Sequence, residues 1–220
     1  QDYAAKGIYL TICGFGSGNL NDSMLETVSN NGNGTYEYID SEDELTKVFV
    51  NERSKFFAVA NDTKVQVTFD STKVHSYRLI GYENRALSQD DFENDDKDAG
   101  EIGAGQTVTA LYEIVPAEGF SEGGALAVFD VRYKKALGEE SIPLTMDIAD
   151  EDTLDEVPTE LDFAAGVAAY GMILRDSKHK GNATLEMAFD LVGTGLGYDP
   201  YGYRQQLQTM IAAAQDIPVR

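Results

Sequence analysis

The chain of 220 residues carries 38 acidic side chains against 17 basic ones, a formal net charge of −21 at pH 7, and is 42% hydrophobic. Its length and apolar content suffice for a sizeable core. The charge argues against nucleic acid and against unaided docking on anionic lipid, both of which depend on Lys and Arg. A single cysteine, Cys13, excludes an intramolecular disulfide and a CxxC pair. No run of 18 apolar residues occurs, so no direct membrane insertion is expected.

In chain order, Ile8, Leu10 and Ile12 form an apolar run ending at Gly14, which predicts a buried strand. "NDSMLE" opens a helix that Asn21, Asp22 or Ser23 can cap, Ser23 with Glu26 fitting a capping box. "TYEYID" reads as a strand and "SEDELTKVFV" as a helix capped by Ser41, with Leu45, Val48 and Phe49 on one face. The start is therefore β-α-β-α, and so abrupt a beginning reads as a piece of a longer protein. From residue 61 the period changes to two: Val65, Val67 and Phe69 share a face, as do Val108, Ala110, Tyr112 and Ile114, and Ala127, Phe129, Val131 and Tyr133. Short strands with turns predict an antiparallel β-sandwich. An acidic linker follows, then three helices: one with the stripe Phe163, Val167, Tyr170 and Leu174, one capped by Asn182, and one capped by Asp199 with Leu207, Met210, Ile211 and Ala214 inward. The expected fold class is α+β, in three segments: residues 1–58, the sandwich over 59–148, and linker plus helices over 149–220.

Four segments carry residues of chemical interest. The turn "GFGSG" places Gly14, Gly16 and Gly18 between strand and helix, yet it is G-x-G-x-G, lacks a Lys and stands four residues from the helix, so neither a dinucleotide fingerprint nor a Walker loop fits. In "QDDFENDDKDAGE" the alternation Asp91, Glu93, Asp95 suits calcium, but Asp96 stands where an EF-hand needs Gly. His75 and His179 have no second His at metal spacing, and no G-x-S-x-G occurs. The aromatic and arginine-bearing segments remain: Tyr77, Arg78, Tyr82, Glu83, Asn84 and Arg85, with Tyr201, Tyr203 and Arg204, are candidates for a binding or inter-domain surface.

"LTICGFGSGNLNDSMLETVSNNGNGTYEYIDSEDELTKVF" resembles the last third of a von Willebrand factor type A domain. "YRLIGYENRALSQDDFENDDKDAGEIGAGQTVTALYEIVP" and "FAAGVAAYGMILRDSKHKGNATLEMAFDLVGTGLGYDPYGYRQQL" resemble the region after that domain in bacterial YfbK-like proteins, which ends in a domain of unknown function. The resemblance makes "GFGSG" the turn after the last core strand of an A domain. It implies a doubly wound remnant over residues 1–58, and a metal site whose D-x-S-x-S motif is not in this sequence, so no metal ligand is carried over and no cofactor is implied. It further implies a non-enzymatic protein-binding or scaffold module at the cell envelope, with an unidentified protein partner. The alternatives are a hydrolase with a carboxylate pair in the sandwich–helix crevice, and a calcium-stabilised module using residues 90–101. The apolar remnant would pack on the sandwich, dimerise through its open sheet edge, or stay loosely ordered.

Overall fold

The computed structural model describes residues 3, 6–16, 18, 20–82, 86–120, 123–149 and 156–217. They form an α+β protein with antiparallel sheets, divided into two compact units that interleave along the chain. One comprises Gln1–Asp70, Ala86–Val108 and Ala125–Ile148; the other comprises Ser71–Arg85, Thr109–Gly124 and Ala149–Arg220. These units group residues by contact, whereas the three expected segments followed sequence pattern.

In the first unit β1 (Ile12–Phe15) pairs in parallel with β2 (Tyr36–Ile39), with α1 (Asp22–Asn31) between them in sequence. Asn21 caps α1, its side-chain oxygen accepting from the Met24 amide at 3.1 Å. The strand starts later than its apolar run suggested, and Ile8 and Leu10 are exposed rather than buried. Leu10 instead lies against the turn after α1, where a Cβ on Gly34 would stand 1.9 Å from the Leu10 carbonyl oxygen. The glycine turn has a structural explanation as well. A Cβ on Gly14 would meet the Tyr36 hydroxyl at 2.9 Å, and that hydroxyl donates to Asp22 at 2.5 Å in the first turn of α1.

Ser41 caps α2 (Glu42–Thr46), accepting from the Glu44 amide. The helix passes into a π turn (Lys47–Asn51) and a 3₁₀ turn (Arg53–Phe56). The change of pitch breaks the expected face: Val48 is fully buried, while Leu45 and Phe49 are exposed, Phe49 stacking on Phe56 at 5.9 Å.

A four-stranded sheet follows in the order β5–β3–β7–β8, formed by β3 (Ala58–Phe69), β5 (Gly100–Gly103), β7 (Ala125–Lys134) and β8 (Ile142–Ala149). Its register sets Val65, Val67 and Phe69 opposite Val131, Phe129 and Ala127, so the two alternating faces read from the sequence do meet. A bulge between Asn61 and Lys64, with Asp62 at φ +48°, turns Asn61, Asp62 and Lys64 inward and leaves Val65 exposed. The acidic segment holds a short helix, α3 (Gln89–Glu93), capped by Ser88.

In the second unit β4 (Val74–Ile80) and β6 (Leu111–Pro116) make a separate antiparallel ribbon. The four strands expected in one sandwich thus belong to two sheets. Val108 and Ala110 precede β6, so of the face expected over Val108, Ala110, Tyr112 and Ile114 only Tyr112 and Ile114 lie in the strand. Three helices complete the unit: α4 (Thr159–Leu174), α5 (Leu185–Thr194) and α6 (Tyr203–Gln215). Ala169, Ala188, Val192 and Ile211 form their core, with Phe163, Tyr170, Phe189 and Leu207 packed around it. The caps differ from expectation. Thr184, not Asn182, caps α5; α6 starts after Gly202, and Asp199 accepts from the Gln205 amide at 3.0 Å. Val167, Leu174 and Met210, expected inside, are exposed. α4 is apolar on every side, so periodicity could not choose its buried face. The choice falls on Gly166, where a Cβ would stand 2.9 Å from the Val192 amide nitrogen.

Candidate functional site

Within the second unit, α4 and the β4–β6 ribbon border a groove of about 680 Å³. Ile80 and Leu111 line it from the ribbon, and Leu161, Phe163, Ala164, Val167, Ala168 and Met172 from the helix. It is built by α4 exposing the side that α5 does not cover. Such a volume is in the range of small-molecule and peptide clefts, and its lining is mostly apolar.

Arg204 lines the groove at the start of α6 and ties three helices together. Its Nη1 donates to the Gly195 carbonyl at 2.5 Å, and its Nη2 donates to Glu160 at 2.6 Å. The guanidinium lies 4.4 Å from the centroid of the Phe163 ring. Two charge-assisted bonds and a cation–π contact fix this part of the wall. Glu160 is the one carboxylate among the lining residues, and it is held in that ion pair.

The other sequence candidates are placed around this feature. Arg78 donates to Glu113 from Nε at 3.0 Å and from Nη2 at 2.5 Å, across the ribbon. Tyr77 meets Tyr112 with centroids 6.4 Å apart, and burial raises the Tyr112 phenol above its ordinary range. Both Tyr77 and Arg78 lie on the strand whose last residue, Ile80, lines the groove. Tyr82 holds a left-handed φ of +60° and donates to the carbonyl of Thr109, another lining residue, at 2.8 Å. Tyr201 and Tyr203 pack with centroids 5.5 Å apart. Glu83, Asn84 and Arg85 lie outside the described residues. The two sequence patches therefore both contribute to the surroundings of one groove. Sequence reasoning missed the apolar wall itself: it put Val167 on a buried stripe with Phe163, Tyr170 and Leu174, and singled out neither Ala164 nor Met172. The available signal was an apolar excess greater than one buried face requires.

Elsewhere, several carboxylates of the acidic segment have protein partners. Asp95 pairs with Arg132 at 3.1 Å and accepts from the Ser141 hydroxyl at 2.6 Å, which holds its carboxyl down to about 2. Asp91 lies 3.9 Å from Lys97, and Asp98 accepts from Asn33. Among the described residues no three His, Cys, Asp or Glu side chains converge as metal ligands. His75 and His179 are exposed in separate elements. No helix among the described residues is long and apolar enough to cross a membrane.

A family model described as "Uncharacterized protein YfbK, C-terminal" matches residues 54–123 and 119–217. The chain is also 33% identical, over 230 aligned positions, to "Uncharacterized protein YfbK" of Escherichia coli (strain K12). That match takes in 96% of this chain but only 40% of the relative's length. No solved structure matches the chain. With the family model matching well over half of the residues, the chain belongs to the YfbK C-terminal family.

Proposed function

We propose that this chain is a non-enzymatic protein–protein binding or scaffold module, with the groove beside α4 as its contact surface. The observation that carries this reading is α4 itself. A helix apolar on every side is expected to be covered on every side, and here Leu161 and Val167, both lining the groove, remain exposed. Arg175 and Arg204 line the groove, and Tyr77 and Tyr112 lie on the ribbon beside it; both residue types are enriched where protein surfaces meet. We read residues 1–58 as the end of a von Willebrand factor A domain, supported by the parallel β1–α1–β2 order. In that reading the module supports a metal-dependent A domain whose metal site lies outside this sequence, at the bacterial envelope.

The test is a pull-down from bacterial envelope extract with the chain and its Val167→Glu variant, each in Mg²⁺ and in EDTA. The expected result is a defined partner held by the wild type and lost by the variant, with an unchanged melting curve. A partner held equally by both moves the contact surface away from the groove. No partner under either condition overturns the binding reading.

A further inference from the structure

The β3 bulge leaves a group of polar side chains to which the proposed binding surface assigns no role. The β3–β5 register pairs Ala60 with Ile102 and Thr63 with Gly100, so Glu101 on β5 stands opposite the two extra residues, Asn61 and Asp62. Asn33, in the turn between α1 and β2, holds a left-handed φ of +49° that aims its side chain at this point. Its Nδ2 donates to Glu101 Oε1 at 2.8 Å and reaches Asp98 Oδ1 at 3.4 Å. One amide nitrogen is thus shared between two carboxyl groups. Beside it the Tyr9 hydroxyl donates to Asn61 Oδ1, and Asn61 Nδ2 donates to the Lys135 carbonyl at 3.1 Å. Asp62 is 4% exposed and pairs with Lys134 at 2.7 Å and Lys64 at 3.7 Å. Those two lysines also donate to the carbonyls of Asp95 and Asn94.

We propose that Asn33, Asp98 and Glu101 form a proton-sensitive latch that fastens the turn between α1 and β2 to the edge strand β5. The turn has little freedom to adjust elsewhere, because Gly34 is pressed against the Leu10 backbone. Its position is therefore tied to that of the strand–helix–strand segment. The charged groups facing Glu101 are Asp98 from the preceding loop and Asp62 from β3, both acidic; Asn33 and Tyr9 face it as neutral groups. Burial is the largest influence on Glu101, and with these neighbours it raises the carboxyl from 4.5 to about 7, against the opposing hydrogen bond from Asn33. The sign follows: the folded protein holds this proton more tightly than the unfolded chain. The latch is closed in acid, and its contribution is lost as pH rises from about 4.5 through about 7. Above that, Glu101 carries a charge beside Asp98 and Asp62.

The test is amide hydrogen exchange over residues 32–39, corrected for intrinsic rates, alongside a carbon NMR titration of the Glu101 carboxyl. Wild-type protection is expected to fall by about thirtyfold between about pH 5.5 and about pH 8.5, the change that follows when one carboxyl titrates at about 7 with the latch closed and at 4.5 with it open. Glu101→Gln is expected to stay protected throughout, and Asp98→Asn to move the midpoint to lower pH. A Glu101 midpoint near 4.5 overturns the proposal, as does wild-type protection that does not change with pH. A fall that persists in Glu101→Gln overturns it too. Should that variant not fold, the wild-type titration and the Asp98→Asn shift decide the matter alone.

Discussion

Lys64 is 2% exposed, whereas its neighbour Val65 is 52% exposed, an inversion of the usual order of burial. The Asn61–Lys64 bulge turns the lysine inward, and the structure compensates it with the Asn94 carbonyl at 2.5 Å and Asp62 at 3.7 Å. Lys64→Ala leaves Asp62 its closer partner Lys134 but removes the donor to the Asn94 carbonyl and one of the two cations, so it is expected to cost about 1–3 kcal/mol, read from urea unfolding. A cost within about 0.5 kcal/mol would mean that water already reaches the site. Asp95 offers a second check. Its carboxyl is lowered from 3.8 to about 2, chiefly by the Ser141 hydroxyl. A depressed carboxyl contributes stability above 3.8 that is lost as pH falls through about 2. Ser141→Ala is expected to move the Asp95 midpoint toward the ordinary value, measured by NMR, and to shift the acid-unfolding limb to higher pH.

At the scale of the helices, two glycines of α4 separate local propensity from packing. At Gly171 a Cβ would meet nothing within 4 Å, so Gly171→Ala is expected to stabilise by about 0.5–1 kcal/mol through helix propensity. At Gly166 the same propensity gain of about 1 kcal/mol competes with overpacking of about 1–3 kcal/mol. The neighbours there include the Val192 backbone at 2.9 Å, which cannot rotate away, so overpacking wins and Gly166→Ala is expected to destabilise. Thermal melts of both variants check the pair, and equal effects would mean that α4 and α5 are not packed at Gly166. Element existence was largely legible in the sequence: the helices starting at Asp22 and Glu42 and their Asn21 and Ser41 caps follow from local chemistry. Their burial was not. The π turn rotated Phe49 outward, and the all-apolar α4 offered no preferred face, so both outcomes depended on what lay opposite.

For the molecule as a whole, 38 acidic residues against 17 basic ones set a repulsion that compaction must overcome. Raising NaCl from about 20 mM to about 500 mM is expected to raise Tm, because screening relieves net repulsion more than it weakens the paired minority. A fall in Tm would show instead that the ion pairs around Asp62 and Asp95 dominate. The sequence by itself determined the family, the order of strands and helices, the acidic surface and the exclusion of phosphate-loop motifs, since all of these depend on residue type and short spacing. Tertiary structure decided how the strands divide among separate sheets and which side of α4 was left to line a groove. It also decided which residues stand opposite Glu101. Those outcomes come from contacts between residues far apart in the chain: Asn33 with Glu101, Asp62 with Lys134, Arg204 with Glu160. Local periodicity carries no information about which distant partner fills a given space, and that partner sets burial, pairing and charge.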